Sequence, residues 1–210
     1  MALAASSTAG QVAYPPLYSF PPFFTLQANA TTLSIQLAQW TSLALNWCAH
    51  YRVFFLDVDI AMDDVGSSGA TAKPIQSLWS NPAISRRLDA VGRRRVIETM
   101  IEEGKAAWEP KPPSKPKPGT LPPNRALIYW RTPEEWGQKI HQWVISTGQN
   151  RSIMTFFELT EGDLVEDQDF YQLPPVLLRR ALETLVKQGK AQIFEGTERG
   201  QGLEGVKFAA

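Results

Sequence analysis

The sequence predicts an α+β fold that is predominantly helical, with two copies of one small domain behind an extended Pro- and aromatic-rich N-terminal segment. The first observation is an internal repeat: residues 96–108 read VIETMIEEGKAAW, and residues 181–193 read ALETLVKQGKAQI. The second is a similar order of helix and strand patterns around each copy. The third is a Pro-Pro-x-aromatic motif that occurs twice near the start. The copies lie 85 residues apart, which is too long for a solenoid unit and suits a duplicated small domain.

The N-terminal segment carries its two motifs six residues apart, as Pro15-Pro16-Leu17-Tyr18 and Pro21-Pro22-Phe23-Phe24. A diproline run favours the polyproline II conformation, which has about three residues per turn. This conformation predicts that Tyr18 and Phe24 lie on the same side of an extended ribbon. Two interpretations stay open: a preformed ligand for an aromatic-lined groove of a partner protein, or a leader whose aromatic side chains pack on the chain's own core.

The first copy begins with a helix, which is predicted by apolar residues at helical spacing: Leu33, Leu37, Trp40, Ala44, Trp47 and Tyr51. A strand is predicted at residues 53–56, and residues 61–73 are predicted to form a disordered insert that contains Gly-Ser-Ser-Gly. A further helix carries Ile97, Met100 and Ile101 and ends at Gly104. Strands at 105–108 and 126–130 complete the copy.

The second copy repeats this order. Thr132-Pro133-Glu134-Glu135 has the signature of a helix start, with a Thr cap, Pro at the first position and acids in the first turn. A strand is predicted at residues 153–157, where Phe156-Phe157 corresponds to Phe54-Phe55 of the first copy. The repeated helix ends at Gly189, and strands follow at 190–194 and 206–208.

The order helix, strand, short helix, helix, strand, loop, strand is that of a winged helix, a helix-turn-helix variant closed by a β-hairpin. We therefore predict an extended partner-binding segment at residues 1–28 and two tandem winged-helix domains at 29–130 and 131–210. The first hairpin loop, residues 110–123, is rich in Pro and Lys, whereas the second, residues 196–205, is rich in Gly.

Residues for catalysis or metal binding are sparse. The chain has one cysteine, Cys48, and two histidines, which form no zinc pattern and no nucleophile–base pair. The match of residues 200–205 to G-x-G-x-x-G lacks the strand–helix context of a dinucleotide site and is interpreted as a hairpin turn. The acidic residues between 161 and 169 are interpreted as a solvated loop or a surface for a basic partner. The sequence thus predicts no enzyme, no catalytic residue, no cofactor and no metal.

Winged helices often bind DNA, and Arg93-Arg94-Arg95 lies where a recognition helix would present base contacts. The formal net charge is zero, which argues against nucleic acid as a partner. A DNA-binding transcription factor remains the alternative function, and Pro-Pro-Leu-Tyr as a ligand for a WW domain is a third. The sequence has neither a secretory signal nor a run long enough to span a membrane, so we expect a cytoplasmic protein.

Several blocks of the chain resemble one known family. These blocks are residues 14–27, 130–137, 146–150, 157–160 and 205–208. They are similar to the vacuolar protein sorting-associated protein 25 family, the small subunit of the endosomal sorting complex ESCRT-II. The insert at 61–73 and the Pro- and Lys-rich loop at 110–123 depart from the family pattern.

The resemblance implies a non-enzymatic adaptor for ubiquitin-dependent cargo sorting into multivesicular bodies. It implies a complex with two copies of this subunit and one each of vacuolar protein sorting proteins 22 and 36, recruited from the cytoplasm to the endosomal membrane. The N-terminal motifs and first domain would attach to those partners, and the second domain would recruit the ESCRT-III subunit vacuolar protein sorting protein 20. The residues implied in attachment are Pro15, Pro16, Tyr18, Pro21, Pro22, Phe23 and Phe24.

Overall fold

The structure is a computed structural model that describes residues 12–59, 77–115, 117–194 and 204–209. It is a mixed fold in which these residues form five α-helices and small antiparallel sheets. The chain divides into two compact units, Met1–Trp130 and Arg131–Ala210. The insert predicted at residues 61–73 and most of the second hairpin loop lie outside the described residues.

The first unit contains a long helix, α1 (Ala30–Tyr51), whose apolar stripe is buried from Leu37 to Trp47 and half-buried at Leu33 and Tyr51. Its three-stranded sheet has the order β1-β5-β4, with β1 at Phe55–Asp57, β4 at Ala106–Trp108 and β5 at Arg125–Ile128. A two-stranded sheet of β2 (Ser80–Asn81) and β3 (Arg86–Arg87) encloses a 3₁₀ turn, and α2 (Ala90–Glu102) follows. The short helix predicted before α2 is therefore, in the described part of this unit, only the turn Pro82–Ile84.

The second unit begins with α3 (Pro133–Ser146). Next come β6 (Ile153–Thr155) and a short helix, α4 (Phe156–Glu161). The last helix, α5 (Pro175–Lys187), leads into β7 (Ala191–Phe194) and β8 (Gly205–Phe208). The three strands form an antiparallel sheet of order β6-β8-β7, which matches the order β1-β5-β4 of the first unit.

The repeated segments end their helices in the same way. Gly104 and Gly189 both have φ of +70°, in the left-handed region that glycine adopts without steric cost. The next residue closes the helix end in each case: the Lys105 N–H donates to the Met100 carbonyl at 2.7 Å, and the Lys190 N–H donates to the Leu185 carbonyl at 2.9 Å. The prediction that both glycines stop a helix is confirmed.

The predicted correspondence between the two Phe pairs is wrong. Phe55 pairs with Leu127 and Ile153 pairs with Lys207, so Ile153 takes the place of Phe55 in the second sheet. The strand predicted to reach residue 157 ends at Thr155, because Thr155 and Glu158 form a capping box that starts α4 there. Local capping thus overrides the β-propensity of Phe156 and Phe157.

Residues 15–24, which carry the two motifs, do not form the extended ribbon that the diproline runs predict, and residues 1–11 of the predicted segment lie outside the described residues. Residues 15–24 instead contain two consecutive 3₁₀ helices, Pro16–Ser19 and Pro21–Phe24, each with proline in its first turn. The Tyr18 N–H donates to the Pro15 carbonyl at 2.8 Å and the Phe23 N–H to the Phe20 carbonyl at 3.0 Å. Proline fixes φ near −65°, a value that 3₁₀ and polyproline II conformations share, so the diproline run alone could not discriminate between them.

Candidate partner-binding site

The aromatic rings of the two motifs pack into the core of the first unit. Tyr18, Phe23 and Phe24 are each 4% exposed. The ring of Phe23 stacks on Trp40 of α1 with 4.4 Å between centroids and 7° between planes. Phe24 meets the same indole edge-on at 5.4 Å. The rings of Tyr18, Phe23 and Phe24 therefore pack on the chain's own core, as the second of the two interpretations predicts.

Tyr18 and Phe24 nevertheless lie on one side of the segment, as the six-residue spacing predicted. Their ring centroids are 5.3 Å apart, and Trp40 lies 6.4 Å from Tyr18. Trp79 extends the cluster, with its ring 5.6 Å from that of Trp40. Two successive 3₁₀ helices thus place the rings of Tyr18 and Phe24 on one side, the arrangement that two turns of polyproline II also predict.

The Tyr18 hydroxyl joins the segment to β2 and to the residues just before it. Its oxygen lies 2.6 Å from the Ser80 carbonyl oxygen and 2.8 Å from that of Ser77, and its one proton serves either acceptor. In return, the Asn81 side-chain amide donates to the Tyr18 carbonyl at 2.7 Å. These bonds satisfy polar groups that would be costly to bury unpaired.

Gln36 fastens the second motif to α1 and is itself buried. Its Nε2 donates to the carbonyls of Phe23 at 2.8 Å and Thr25 at 2.9 Å, while its Oε1 accepts from the Gln27 N–H at 3.3 Å. The Trp40 Nε1 donates to the same Phe23 carbonyl at 3.0 Å. No sequence motif marks Gln36; a polar residue next to the apolar stripe of α1 is the one sequence signal for its role.

The outer side of the segment is open to solvent. Pro16, Pro21 and Pro22 are exposed, and Pro15 is half-buried. Leu17 is 40% and Phe20 53% exposed. Together with Ile35 of α1 they border an apolar groove, whose lining is formed by Leu17, Phe20, Pro22, Phe23, Gln27, Thr32, Ile35, Gln36 and Gln39.

A second, more polar depression lies on another side of the second motif. It is lined by Pro21, Pro22 and Phe24 and by the exposed pair Arg86 and Arg87 of β3. The two motifs thus border two chemically different surfaces: an apolar groove and a depression beside two guanidinium groups. A planar guanidinium pairs well with carboxylates.

The arginines considered for DNA contacts bond to groups of the first unit itself. Arg93 is buried: its Nε donates to the Val58 carbonyl at 2.7 Å and its Nη1 to the Leu88 carbonyl at 3.2 Å. Arg95 pairs with Glu102 at 3.2 Å. A buried Arg93 is not available to base edges, so the run of three arginines does not form the continuous contact surface considered in the alternative function.

Residues with possible chemical roles are dispersed among the described residues. Cys48 is fully buried, which raises the pKa of its thiol and agrees with its interpretation as a small core residue. Desolvation, followed by the charge of Lys190, lowers the pKa of His141.

No group of three or more potential metal ligands occurs in the parts of the chain that the structure describes. Within those same parts, no helix combines the length and apolar character needed to cross a bilayer.

In the second unit, Asp169, one of the acidic residues between 161 and 169, forms ion pairs with two basic side chains. The Lys139 ammonium donates to the Asp169 carboxylate, and the Arg131 Nη1 donates to it at 3.2 Å. These bonds, led by the one from Lys139, lower the pKa of Asp169. A depression of about 420 Å³ lies beside this cluster, and its lining includes Trp143 and Phe170.

Comparison with known proteins identifies the family. The sequence matches the family described as ESCRT-II complex subunit over residues 17–174. The chain belongs to this family, and the recognition made from its sequence blocks is confirmed. It is a family of structural, non-enzymatic subunits, so the prediction that the chain is not an enzyme is confirmed by membership.

Relatives across eukaryotes are similar over nearly their whole length. Vacuolar protein-sorting-associated protein 25 of Danio rerio is 36% identical, covering 91% of this chain and 97% of the relative. The Homo sapiens protein of the same name is 36% identical over 91% of this chain and 96% of its own length. The Saccharomyces cerevisiae protein is 28% identical over 87% of this chain and 93% of its own length.

Solved structures show the same fold. The crystal structure of subunit VPS25 of the endosomal trafficking complex ESCRT-II has a TM-score of 0.70 at 25% identity, with 93% of this chain and 99% of that chain covered. The chain matched in the crystal structure of the endosomal complex ESCRT-II (VPS22/VPS25/VPS36) has a TM-score of 0.70 at 24% identity, covering 92% of this chain and 98% of that chain.

Proposed function

We propose that this chain is the small adaptor subunit of an ESCRT-II complex and joins proteins homologous to VPS22 and VPS36. The observation that carries the proposal is the family match together with similarity over more than nine-tenths of the vacuolar protein-sorting-associated protein 25 relatives. In this role the chain acts in endosomal sorting from the cytoplasmic side and reaches the membrane through the complex, with two copies of the subunit in each assembly.

Each compact unit is proposed to be a winged helix, with residues 29–130 and 131–210 as the two domains. The order of α3, β6, α4, α5, β7 and β8 supports this assignment in the second unit. In the first unit the hairpin β4–β5 takes the place of the wing. Both domains then serve as protein-binding scaffolds, since a fold of this kind does not by itself determine its ligand.

Attachment to the larger subunits is proposed to use Pro15, Pro16, Tyr18, Pro21, Pro22, Phe23 and Phe24. The buried rings support the proposal indirectly: they hold the segment rigidly on α1, so that little conformational entropy is lost on docking. The exposed prolines, Leu17 and Phe20 then form the surface that meets the partner. Phe20 is the aromatic ring of this exposed surface, and truncating a well-packed aromatic anchor at the centre of an interface costs about 2 kcal/mol or more.

The test is co-purification of the full chain with the two larger subunits. Leu17→Ser combined with Phe20→Ser removes exposed apolar surface from the groove without opening the core. We expect this double variant to lose most of the complex while its far-UV circular dichroism stays unchanged. Tyr18→Ala with Phe24→Ala is a poorer probe, because both rings are buried and their loss destabilises the first unit itself.

The matched control lies in the second unit, where Phe157 is 58% and Leu164 69% exposed. Phe157→Ser with Leu164→Ser removes a comparable apolar area and should leave the complex with the larger subunits intact. Equal yields of complex from the groove variant and the control would contradict the proposed attachment surface.

The second unit is proposed to recruit the ESCRT-III subunit vacuolar protein sorting protein 20. Its exposed apolar side chains, which include Ile153 and Phe157, support a role in protein contact. Titration calorimetry of the full chain with that subunit should give a saturable heat that Phe157→Ser with Leu164→Ser weakens. If the chain assembles with the larger subunits but gives no binding heat with the ESCRT-III subunit, only the proposed recruitment by the second unit is refuted.

A further inference from the structure

The loop that joins β4 to β5 is basic and lies open to solvent. It carries Lys111, Lys115 and Lys117, while the only acid in residues 109–124 is Glu109. The described side chains of residues 110–122 are all exposed. Three lysines against one glutamate leave this segment with a local charge of about +2 in a chain whose formal net charge is zero.

The base of the loop is held firmly on the first unit. The Arg94 Nη1 donates to the Pro123 carbonyl at 3.0 Å, and the Glu109 N–H donates to the Arg125 carbonyl at 2.9 Å. The Val58 N–H donates to the Asn124 carbonyl at 2.8 Å. Both ends of the loop are therefore positioned by bonds to α2, to β5 and to the end of β1.

The tip of the loop is an ordered turn. The Thr120 N–H donates to the Lys117 carbonyl at 3.0 Å, with Pro118 second and Gly119, at φ +84°, third in the turn. Proline second and a left-handed glycine third are typical of a type II β-turn. Leu121 follows directly and is 85% exposed. The tip thus presents a cation and a large apolar side chain within four residues of each other.

We propose that this loop contacts the anionic headgroups of a lipid bilayer, with its lysines against phosphate or carboxylate groups and Leu121 in the interfacial region. Segments that bind membrane interfaces combine these two features. The lysines alone would equally suit nucleic acid, but the apolar side chain at the tip favours a bilayer, because it enters the interfacial region without the cost of unstacking base pairs. The proposal rests on the proposed function, which brings the chain close to a membrane.

The experiment is flotation of the full chain with vesicles of phosphatidylcholine containing about 30% phosphatidylserine, beside vesicles of pure phosphatidylcholine. We expect binding to the anionic vesicles only. Each lysine contributes about fivefold to partition, so Lys111→Ala, Lys115→Ala and Lys117→Ala together should weaken it about a hundredfold. Leu121→Ser should weaken it about tenfold at unchanged charge.

A matched control changes the same net charge elsewhere: Lys187→Ala, Lys190→Ala and Lys207→Ala remove three exposed lysines from the second unit. This control should bind as well as the unchanged chain. Equal losses in both triple variants, no binding to anionic vesicles, or equally tight lysine-dependent binding to polyglutamate or duplex DNA would each overturn the lipid assignment. Complex formation with the larger subunits is measured separately, so its failure and a failure of lipid binding are distinguishable.

Discussion

Trp40 and Phe23 lie parallel, with 4.4 Å between their ring centroids, and the Trp40 indole N–H also donates to the Phe23 carbonyl at 3.0 Å. One side chain of α1 therefore holds both the ring and the backbone of the second motif. Within the described residues, the inner side of the two motifs is part of the core of the first unit, and their outer side is exposed.

Tyr18→Phe tests the hydroxyl that fastens the first motif. The substitution keeps the buried ring but removes the donor to the Ser77 and Ser80 carbonyls. The Tyr14 hydroxyl still donates to the Ser77 carbonyl at 3.2 Å, so the loss is that of an ordinary hydrogen bond and should lower the free energy of unfolding by about 0.5–1.5 kcal/mol, measured by urea denaturation. Tyr51→Phe, at a half-buried tyrosine at the end of α1, is the control and should change it less. Equal stability of the two variants would show that the hydroxyl contributes nothing specific.

Gln36→Leu tests the amide that joins the second motif to α1. The carbonyls of Phe23 and Thr25 lose a donor, so the segment should open locally. The free energy of unfolding should fall by about 1–3 kcal/mol. Hydrogen exchange of the amides at residues 23–27 should accelerate. Gln39→Leu, one turn away on the exposed face, should leave the exchange rate unchanged, and similar rates in both variants would argue against the bridging role.

Gly137→Ala tests the close approach of α3 to α5. A Cβ at this position would lie 2.8 Å from the Ala181 carbonyl oxygen and 2.8 Å from the Thr184 hydroxyl. Replacing glycine by alanine in a helix interior usually stabilises a protein. Here the clash with α5 should instead destabilise the second unit by about 1–3 kcal/mol. Thermal unfolding measures the change. Gln138→Ala, on the exposed face of α3, is the control, and a stabilised Gly137 variant would mean that the helices separate without cost.

Asp169→Asn tests the ion cluster of the second unit by its pH dependence. Bonds from Lys139 and then Arg131 lower the pKa of Asp169 below its unfolded value of about 3.9. The resulting stability is present above about pH 3.9 and is lost as the pH falls through the folded pKa. Because Asp169 is largely exposed, the effect should stay below about 1 kcal/mol.

Urea denaturation between about pH 2 and pH 6 measures this difference. Asp169→Asn should reduce the slope of unfolding free energy against pH in the acidic range, whereas Asp167→Asn, an equal change of charge nearby, should reduce it less. Identical pH profiles for the two variants would contradict a specific role for the cluster.

Much of the fold could be predicted because its signals are local. The apolar stripe of α1, the cap formed by Thr132 and Glu135, and the left-handed Gly104 and Gly189 each involve residues within one or two helical turns. Strand register was less accessible, because it depends on pairing across the sheet. The capping bond of Thr155 decided where β6 ends, against the β-propensity of the residues that follow.

The sequence by itself determined the internal repeat, the ends of the repeated helices at Gly104 and Gly189, and the family, since these rest on residue identity and short-range periodicity. Only the tertiary structure decided which side of the Pro-Pro-x-aromatic segment is free. Tyr18 bonds to Ser80, 62 residues away, and Arg93 bonds to Val58, 35 residues away. Burial of a ring or a guanidinium depends on such distant partners, and no local pattern specifies them.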